Sequence, residues 1–188
     1  MAMRRLLMFG PPGSGKGTQA ARLAQRRSMA HISTGDMLRA AMAAGNELGE
    51  RVKAIVESGN LVPDELMLEM VAERLSEEDA REGFLLDGFP RTVAQAEGLL
   101  EALGPEGALD CVVSLSVPED ELVRRALARG RVDDTESTIR HRLDVYSQLT
   151  EPVLDCLRGR LPILEIEGVG ELDEITARIE KELDAADR

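Results

Sequence analysis

A glycine-rich segment close to the start of the chain has the residue types that bind phosphate groups. It lies between a short apolar run and a segment with helical spacing, and it reads Gly10-Pro11-Pro12-Gly13-Ser14-Gly15-Lys16-Gly17-Thr18. Glycines let the backbone wrap around a phosphate without clashes from Cβ atoms, and the N–H groups of the loop and of the helix N-terminus point at the anion. A lysine at the end of such a loop reaches the outer phosphates of a nucleoside triphosphate. The pattern therefore predicts a nucleotide-binding loop that ends at Lys16.

The residue after this lysine departs from the strict motif, which has Ser or Thr there to bind Mg²⁺ directly. Here Gly17 holds that position, and the hydroxyl comes one residue later, at Thr18. Asp87 ends an apolar strand, so its carboxylate should emerge at the same sheet edge as the loop. Since Mg²⁺ prefers oxygen ligands and keeps several waters, we predict that Asp87 helps to hold the metal through water.

Positive charge is concentrated in one part of an acidic chain. The formal net charge is −12, from 35 acidic and 23 basic residues among 188, so the chain lacks the overall basic character of a nucleic-acid-binding protein. Six arginines nevertheless fall within one short stretch, namely Arg124, Arg125, Arg129, Arg131, Arg140 and Arg142. The planar guanidinium binds phosphate through paired hydrogen bonds. The stretch is therefore a candidate anion site, although Arg124 and Arg140 fit a solvated helix face better.

Short apolar segments alternate with segments of helical periodicity along the whole chain. Strands are predicted at residues 6–9, 29–32, 83–87, 111–115 and 162–166. Helices are predicted at residues 16–26, at 36–75 with breaks at Gly45 and 59–63, and at 92–103, 119–128, 135–157 and 171–186. Such alternation is typical of an α/β fold with parallel strands in one doubly wound sheet. Ligands of these sheets bind at the carboxyl ends of the strands.

Other chemistries fit the composition poorly. The two cysteines and two histidines have no metal-binding spacing, which argues against structural zinc and against a disulfide framework. No apolar run approaches the roughly 20 residues of a membrane span, and the N-terminus resembles a strand, not a signal peptide. We therefore expect a cytoplasmic protein that binds neither membranes nor nucleic acid.

Three further segments carry a specific resemblance. They are Ile32-Ser33-Thr34-Gly35-Asp36-Met37-Leu38-Arg39, Gly59-Asn60-Leu61-Val62-Pro63 and Phe84-Leu85-Leu86-Asp87-Gly88-Phe89-Pro90-Arg91-Thr92-Val93-Ala94-Gln95. Together with the phosphate loop, and in this order, they resemble the adenylate kinase family over nearly the whole chain. The resemblance implies a P-loop three-layer αβα fold with a five-stranded parallel sheet. It divides the chain into a core (1–32, 63–128 and 136–188), a helical NMP-binding insertion (33–62) and a short lid (129–135).

The resemblance also implies roles for individual residues. ATP would be bound by Gly13, Ser14, Gly15, Lys16, Gly17, Thr18, Arg125, Arg129 and the backbone of Gly170. AMP would be bound by Thr34, Arg39, Asn60, Leu61, Val62, Gly88, Phe89, Pro90, Arg91, Gln95, Arg131 and Arg142. The catalytic cations would be Lys16, Arg91, Arg129, Arg131 and Arg142, and an acidic pair, Asp133 and Asp134, would close the lid. The expected metal is the Mg²⁺ that arrives with ATP, and no zinc is expected.

The activity implied is reversible, Mg²⁺-dependent transfer of the γ-phosphoryl group of ATP to AMP. It gives two ADP and would serve adenine nucleotide homeostasis, in a protein expected to be a monomer. A kinase for UMP or CMP is the close alternative, but Gln95 favours AMP because a carboxamide can both donate to and accept from the adenine edge. A regulatory phosphate-loop ATPase is a second alternative, which leaves the segments around Thr34, Asn60 and Gln95 without a role.

Overall fold

The computed structural model describes residues 3–45, 47–104, 108–131 and 134–187. The strands in this part of the chain are β1 (Arg5–Phe9), β2 (Ala30–Ser33), β3 (Phe84–Asp87), β4 (Cys111–Ser116) and β5 (Ile163–Glu167). They form one parallel sheet in the order β2, β3, β1, β4, β5. Because the strands are parallel, their carboxyl ends meet at one edge, where β1 leads into the phosphate loop and β3 ends at Asp87.

Helices connect the strands and cover the sheet. They are α1 (Lys16–Arg27), α2 (Thr34–Ala44), α3 (Glu47–Ser58), α4 (Asp64–Leu75), α5 (Glu78–Arg81), α6 (Val93–Leu103), α7 (Glu119–Arg129), α8 (Glu136–Val145), α9 (Glu151–Leu157) and α10 (Leu172–Ala186). Successive strand residues point to opposite faces. Leu6 and Met8 of β1 pack in one core with α1 and α10, whereas Leu7 and Phe9 pack in another with α4, α6 and α9. The predicted three-layer αβα fold with its five-stranded parallel sheet is confirmed.

Side-chain caps fix the starts of three helices that border the strand ends. The Ser33 hydroxyl accepts from the N–H of Asp36 at 3.4 Å and caps α2. Thr92 accepts from the N–H of Gln95 at 3.1 Å and caps α6. Thr135 caps α8 in the same way. These hydroxyls satisfy N–H groups that have no partner inside their own helix.

The predicted strands agree with the structure to within one residue at each end, but two helical features differ from the prediction. The short helix α5 was not predicted, because its sequence has no apolar periodicity. It is held by Ala80, which is 3% exposed, and by paired hydrogen bonds from Arg74 to Asp79.

The long helix predicted at residues 135–157 is interrupted by a π-helical turn at Tyr146–Thr150, which joins α8 to α9. The N–H of Glu151 donates to the carbonyl of Tyr146 in this turn. Pro152 follows directly, and regular α-helical bonding cannot continue through it, because proline has no N–H and its ring crowds the preceding turn. The turn borders the cavity described below.

Candidate active site

The phosphate loop is held in shape by its own backbone and by close packing against α7. The Ser14 N–H donates to the Pro11 carbonyl at 3.1 Å. Gly13 has φ 88°, and a Cβ atom there would lie 2.4 Å from the carbonyl oxygen of Leu122. Only glycine fits this position, because a side chain would be both strained and in collision with backbone. The loop therefore delivers Lys16 as the first residue of α1.

Lys16 lies at the point where several cationic side chains converge. Its side chain is partly exposed and lines a cavity at the sheet edge. Burial lowers the pKa of Lys16 to about 8, Asp87 opposes this shift, and the charges of Arg91, Arg129 and Arg131 add to it. Like charges repel one another here, so the arrangement favours an anion that would lie between them.

Asp87 presents an ionised carboxylate at the base of the phosphate loop. It is 6% exposed, and burial alone would raise its pKa, but His31, Lys16 and Arg91 outweigh burial and hold the pKa of Asp87 below its ordinary value. The His31 Nε2 lies 3.8 Å from the Asp87 Oδ2, which is an ion-pair distance and too long for a hydrogen bond.

The other carboxylate oxygen, Asp87 Oδ1, is buried and has no hydrogen-bond partner within the described part of the chain. A Cβ atom at Gly17 would lie 3.1 Å from Oδ2, so the glycine leaves the space beside the carboxylate open. An unpaired, ionised, buried oxygen beside a phosphate loop fits a water ligand of Mg²⁺. The residues present are therefore compatible with the predicted metal.

The turn after β3 forms one wall of the cavity. The Phe89–Pro90 peptide bond is cis. The carbonyl of Gly88 accepts from the Thr34 hydroxyl at 2.9 Å and from the Arg91 Nε at 2.7 Å. Burial lowers the pKa of Arg91, against the charge of Asp87. The turn thus fixes the position of one predicted phosphate-binding arginine.

Gln95 lies one helical turn further on and is 2% exposed. Its Oε1 accepts from the N–H of Arg91 at 2.8 Å, and its Nε2 donates to Asp64 Oδ1 at 2.8 Å. Each end of the carboxamide is therefore held by one protein group, which leaves one N–H and one lone pair for a ligand. Gln95 lines the cavity, as the sequence predicted.

Helices α2 and α3 bring further predicted residues to the cavity. The Arg39 Nη2 donates to Asp36 Oδ1 at 2.6 Å on α2. Asn60, just after α3, has its Oδ1 2.8 Å from the Nε2 of His141 on α8. The Arg142 Nη2 donates to the carbonyl of Val56 at 3.2 Å. The predicted insertion (33–62) is thus in direct contact with α8, which follows the predicted lid.

Asp134 binds the side chain of one predicted arginine and lies close to a second. Its carboxylate accepts two hydrogen bonds from Arg129, at 3.0 and 2.9 Å, and one from the N–H of Arg131 at 3.3 Å. Arg142 Nη1 lies 3.4 Å from the Oδ1 of Asp134. The side chain of Asp134 is completely buried by these contacts. Asp133, the other predicted acid of the lid, lies outside the described residues.

Two predicted residues on the ATP side, Arg125 and Gly170, are not part of the cavity wall. The Arg125 Nη1 donates to the carbonyl of Gly168 at 2.9 Å, and its Nε donates to Glu121 at 2.5 Å. Gly170 is exposed in the same loop before α10. Arg124 and Arg140, expected on solvated faces, are exposed and pair with Glu121 and Glu136 on their own helices. Arg125 therefore links α7 to the loop of Gly170.

One cavity of about 900 Å³ unites most of the predicted site. The predicted residues that line it are Lys16, Thr34, Arg39, Asn60, Leu61, Val62, Gly88, Phe89, Pro90, Arg91, Gln95, Arg129, Arg131 and Arg142. The predicted residues that are not part of its wall are Gly13, Ser14, Gly15, Gly17, Thr18, Asp87, Arg125 and Gly170. The cavity thus coincides with the predicted acceptor and transfer regions, and of the residues assigned to ATP only Lys16 and Arg129 line it.

Several residues of the site were not predicted from the sequence. Asp64 reads as an ordinary acid in the first turn of α4, yet it bonds to Gln95. His141 reads as an isolated histidine, yet it contacts Asn60. Thr150 donates to the carbonyl of Arg91 at 3.0 Å. These are contacts between elements far apart in the chain, and no local pattern predicts them.

Among the described residues, no group of three or more His, Cys, Asp or Glu side chains is arranged to hold a metal ion. Within the same part of the chain, no helix is both long enough and apolar enough to span a membrane.

Comparison with known proteins agrees with this geometry. The sequence model described as Adenylate kinase matches residues 8–160. The adenylate kinase of Stenotrophomonas maltophilia strain K279a is 52% identical over 182 residues, with 93% of this chain and 96% of that protein covered. The adenylate kinase of Clavibacter michiganensis subsp. michiganensis is 51% identical over 184 residues, with 94% of this chain and 91% of that protein covered. That of Corynebacterium glutamicum strain R is 51% identical over 180 residues, with 95% of this chain and 98% of that protein covered.

Proposed function

The chain belongs to the adenylate kinase family, and from that premise we propose that it transfers the γ-phosphoryl group of ATP to AMP, reversibly, to give two ADP. As a member of this family the chain is an enzyme, a nucleotide-binding phosphotransferase. We further propose that it works on free nucleotides, as a monomer in the cytoplasm, and maintains the balance of adenine nucleotides.

The observation that carries this proposal is the convergence of cations on one cavity. Six cationic side chains among the described residues line it: Lys16, Arg39, Arg91, Arg129, Arg131 and Arg142. Phosphoryl transfer needs little covalent help from the protein, and its barrier falls through in-line positioning and through neutralisation of charge on the phosphate oxygens. Two nucleotides brought end to end carry enough negative charge to require such a cluster. A protein that bound a single nucleotide would need fewer cations.

We assign the catalytic roles by position in this cluster. Lys16, at the end of the phosphate loop, would contact the transferring phosphoryl group. Arg91, fixed by the turn after β3, would hold the acceptor phosphate. Arg129, Arg131 and Arg142 would gather around the group in transit, and the phosphates would replace Asp134 as the partner of Arg129 and Arg142. The acceptor phosphate is itself the nucleophile, so no side chain is required as a general base.

The proposed metal is Mg²⁺ bound to the donor nucleotide. It supplies further neutralisation of the donor phosphates when it is bound. Asp87 would hold it through water, which agrees with the unpaired and ionised state of the Asp87 Oδ1. Gly17 would leave room for that water beside the carboxylate.

We propose that closure of two segments protects the reaction from water. The helical insertion (33–62) would cover AMP and the short lid (129–135) would cover ATP. Support comes from the contact between the Arg142 side chain and the Val56 carbonyl, at 3.2 Å, which joins the insertion to the helix after the lid. Water exclusion strengthens electrostatic stabilisation and prevents hydrolysis of ATP.

The test is an acceptor panel with MgATP as donor. AMP, GMP, CMP and UMP are supplied one at a time, and nucleoside diphosphates are quantified by chromatography. We expect kcat/KM for AMP to exceed the values for both pyrimidine nucleotides by at least about a hundredfold, because a site built to hydrogen-bond one base leaves polar groups unpaired with another. A preference for UMP or CMP would replace the proposed acceptor. ATP consumption that is the same without any acceptor would favour a regulatory ATPase.

A further inference from the structure

We propose that Asp64 fixes the hydrogen-bonding polarity of Gln95 and so sets the choice between 6-amino and 6-oxo purine nucleotides. Asp64 is the first residue of α4 and follows directly on the helical insertion. It is not part of the cavity wall, so it would act as a positioning residue. The inference rests on the proposed function, in which Gln95 contacts the base of the acceptor.

The contacts of the Gln95 carboxamide permit one orientation. Its Oε1 faces the N–H of Arg91 at 2.8 Å, and that group can only donate. Its Nε2 faces the Oδ1 of Asp64 at 2.8 Å, and a carboxylate can only accept. A carboxamide rotated by half a turn would place two donors together at Arg91 and two acceptors together at Asp64. The protein therefore fixes which end of the Gln95 carboxamide is the donor and which end is the acceptor.

Thr92 reinforces this orientation of Asp64. The Thr92 hydroxyl accepts from the backbone N–H of Gln95 at 3.1 Å, so its own proton is available to Asp64. It donates that proton to the same Oδ1 at 3.0 Å. Asp64, Thr92 and Gln95 thus form a closed ring of hydrogen bonds at the start of α6. The Asp64 Oδ1 accepts from both the Thr92 hydroxyl and the Gln95 Nε2, as a carboxylate oxygen can.

The fixed polarity has a consequence for the base. One lone pair on Gln95 Oε1 and one N–H on its Nε2 remain for a ligand. They match the edge of adenine, whose 6-amino group donates and whose N1 accepts. Hypoxanthine presents the reverse pattern, because its 6-oxo group accepts and its N1–H donates. A buried donor that faces a donor, or an acceptor that faces an acceptor, makes the binding free energy less favourable. A carboxamide held in this orientation therefore rejects the 6-oxo base.

The experiment compares AMP with IMP, which differ at this edge of the base and nowhere else. The quantity measured is the ratio of their kcat/KM values at saturating MgATP, in the wild type and in Asp64→Asn and Asp64→Ala. Asparagine can present either an acceptor or a donor to Gln95, and alanine presents neither. We expect the AMP-to-IMP ratio to fall by about fivefold or more in both variants, which reflects the loss of a charged hydrogen-bond partner.

The matched control is Glu65→Gln, which removes the neighbouring, exposed acid from the same first turn of α4. It should leave the ratio unchanged. The ratio is taken within one preparation, so a smaller folded fraction lowers both rates and does not alter it. Equal loss of both activities in the two Asp64 variants would show a merely structural role and overturn the proposal.

Gln95→Leu separates this inference from the function on which it rests. We expect this variant to lose the preference for AMP over IMP. A retained preference would show that Gln95 does not contact the base, and the inference about Asp64 would fall with it. If Gln95→Leu loses the preference while Asp64→Asn and Asp64→Ala keep it, the polarity role of Asp64 is wrong and the proposed function stands.

Discussion

The surroundings of Lys16 lower its pKa, so its ammonium group loses a proton more easily than that of an ordinary lysine. Burial lowers the pKa of Lys16 to about 8, with contributions from nearby arginines. The side chain is therefore charged below about pH 8 and loses its proton as the pH rises through that value. Since kcat/KM reports the free enzyme, we expect kcat/KM for MgATP to decline above about pH 8. The kcat profile should extend to higher pH, because bound phosphates raise the pKa of the lysine.

The variant that checks this assignment is Lys16→Arg. A guanidinium keeps its proton throughout the alkaline range, so the decline in kcat/KM should disappear even if the rate is lower overall. The same decline in both proteins would assign the alkaline titration to a different group.

The residues of the site could be predicted to very different degrees. Lys16 and Arg91 belong to short segments whose types and order are specific, so the sequence predicts that they share one site, and both line the cavity. Asp64 and His141 contact partners 31 and 81 positions away. Their neighbourhood is created by the packing of α4 on α6 and of the insertion on α8, and such contacts have no local sequence pattern.

Asp134 links the end of α7 to α8, because it holds Arg129 and lies 3.4 Å from Arg142. In the proposed reaction the nucleotide phosphates replace this carboxylate as the partner of Arg129 and Arg142 and also contact Arg131. We therefore expect Arg131→Ala and Arg142→Ala each to lower kcat on the order of a hundredfold or more, as for other groups that stabilise charge in the transition state. Binding of ATP alone should change far less, because the contacts complete only when both nucleotides are present.

Arg140→Ala provides the control for these variants. Arg140 lies on α8, as Arg142 does, but it is exposed and pairs with Glu136. Single-turnover rates and ATP titrations of the three variants give the comparison. If Arg131→Ala and Arg142→Ala lose ATP affinity in proportion to kcat, the two arginines bind ground-state ATP and do not act on the transferring group.

Among the secondary structure elements, the strands were the most predictable. The three inner strands, β1, β3 and β4, have short apolar runs, and parallel strands buried on both faces require such runs. The edge strands β2 and β5 are only partly buried and contain His31 and Glu165. The π-helical turn at Tyr146–Thr150 was missed, because helical periodicity continues through it and only Pro152 indicates the interruption. The helix α5 was missed because its four residues are held by contacts to α4, not by their own pattern.

At the scale of the whole molecule, closure over two nucleotides is the property that follows from the cavity. A ligand made of two adenosines joined by five phosphates should occupy both halves at once. We expect it to bind at least about a hundredfold more tightly than ATP or AMP, because its second half binds without a second loss of translational freedom. Solution scattering should show a more compact protein in this complex. Equal affinity and unchanged dimensions would contradict the closure of the insertion and the lid.

The fold of the molecule was predicted more completely than the contacts between its helices. Alternation of strands and helices was enough to specify the layers and the edge at which ligands bind. It gave no information on the contact of Arg142 with Val56 or of His141 with Asn60. These contacts depend on how the insertion, placed between β2 and α4, lies against α8.

Direct transfer between two nucleotides is tested by following the γ-phosphoryl group itself. ATP labelled at the γ-phosphate is mixed with AMP, Mg²⁺ and the protein, and the label is located after less than one turnover. Direct transfer between two nucleotides in one cavity predicts that the label appears in the β-phosphate of ADP and that ATP is stable when AMP is left out. Label released as inorganic phosphate, at a rate that does not depend on AMP, would contradict the account.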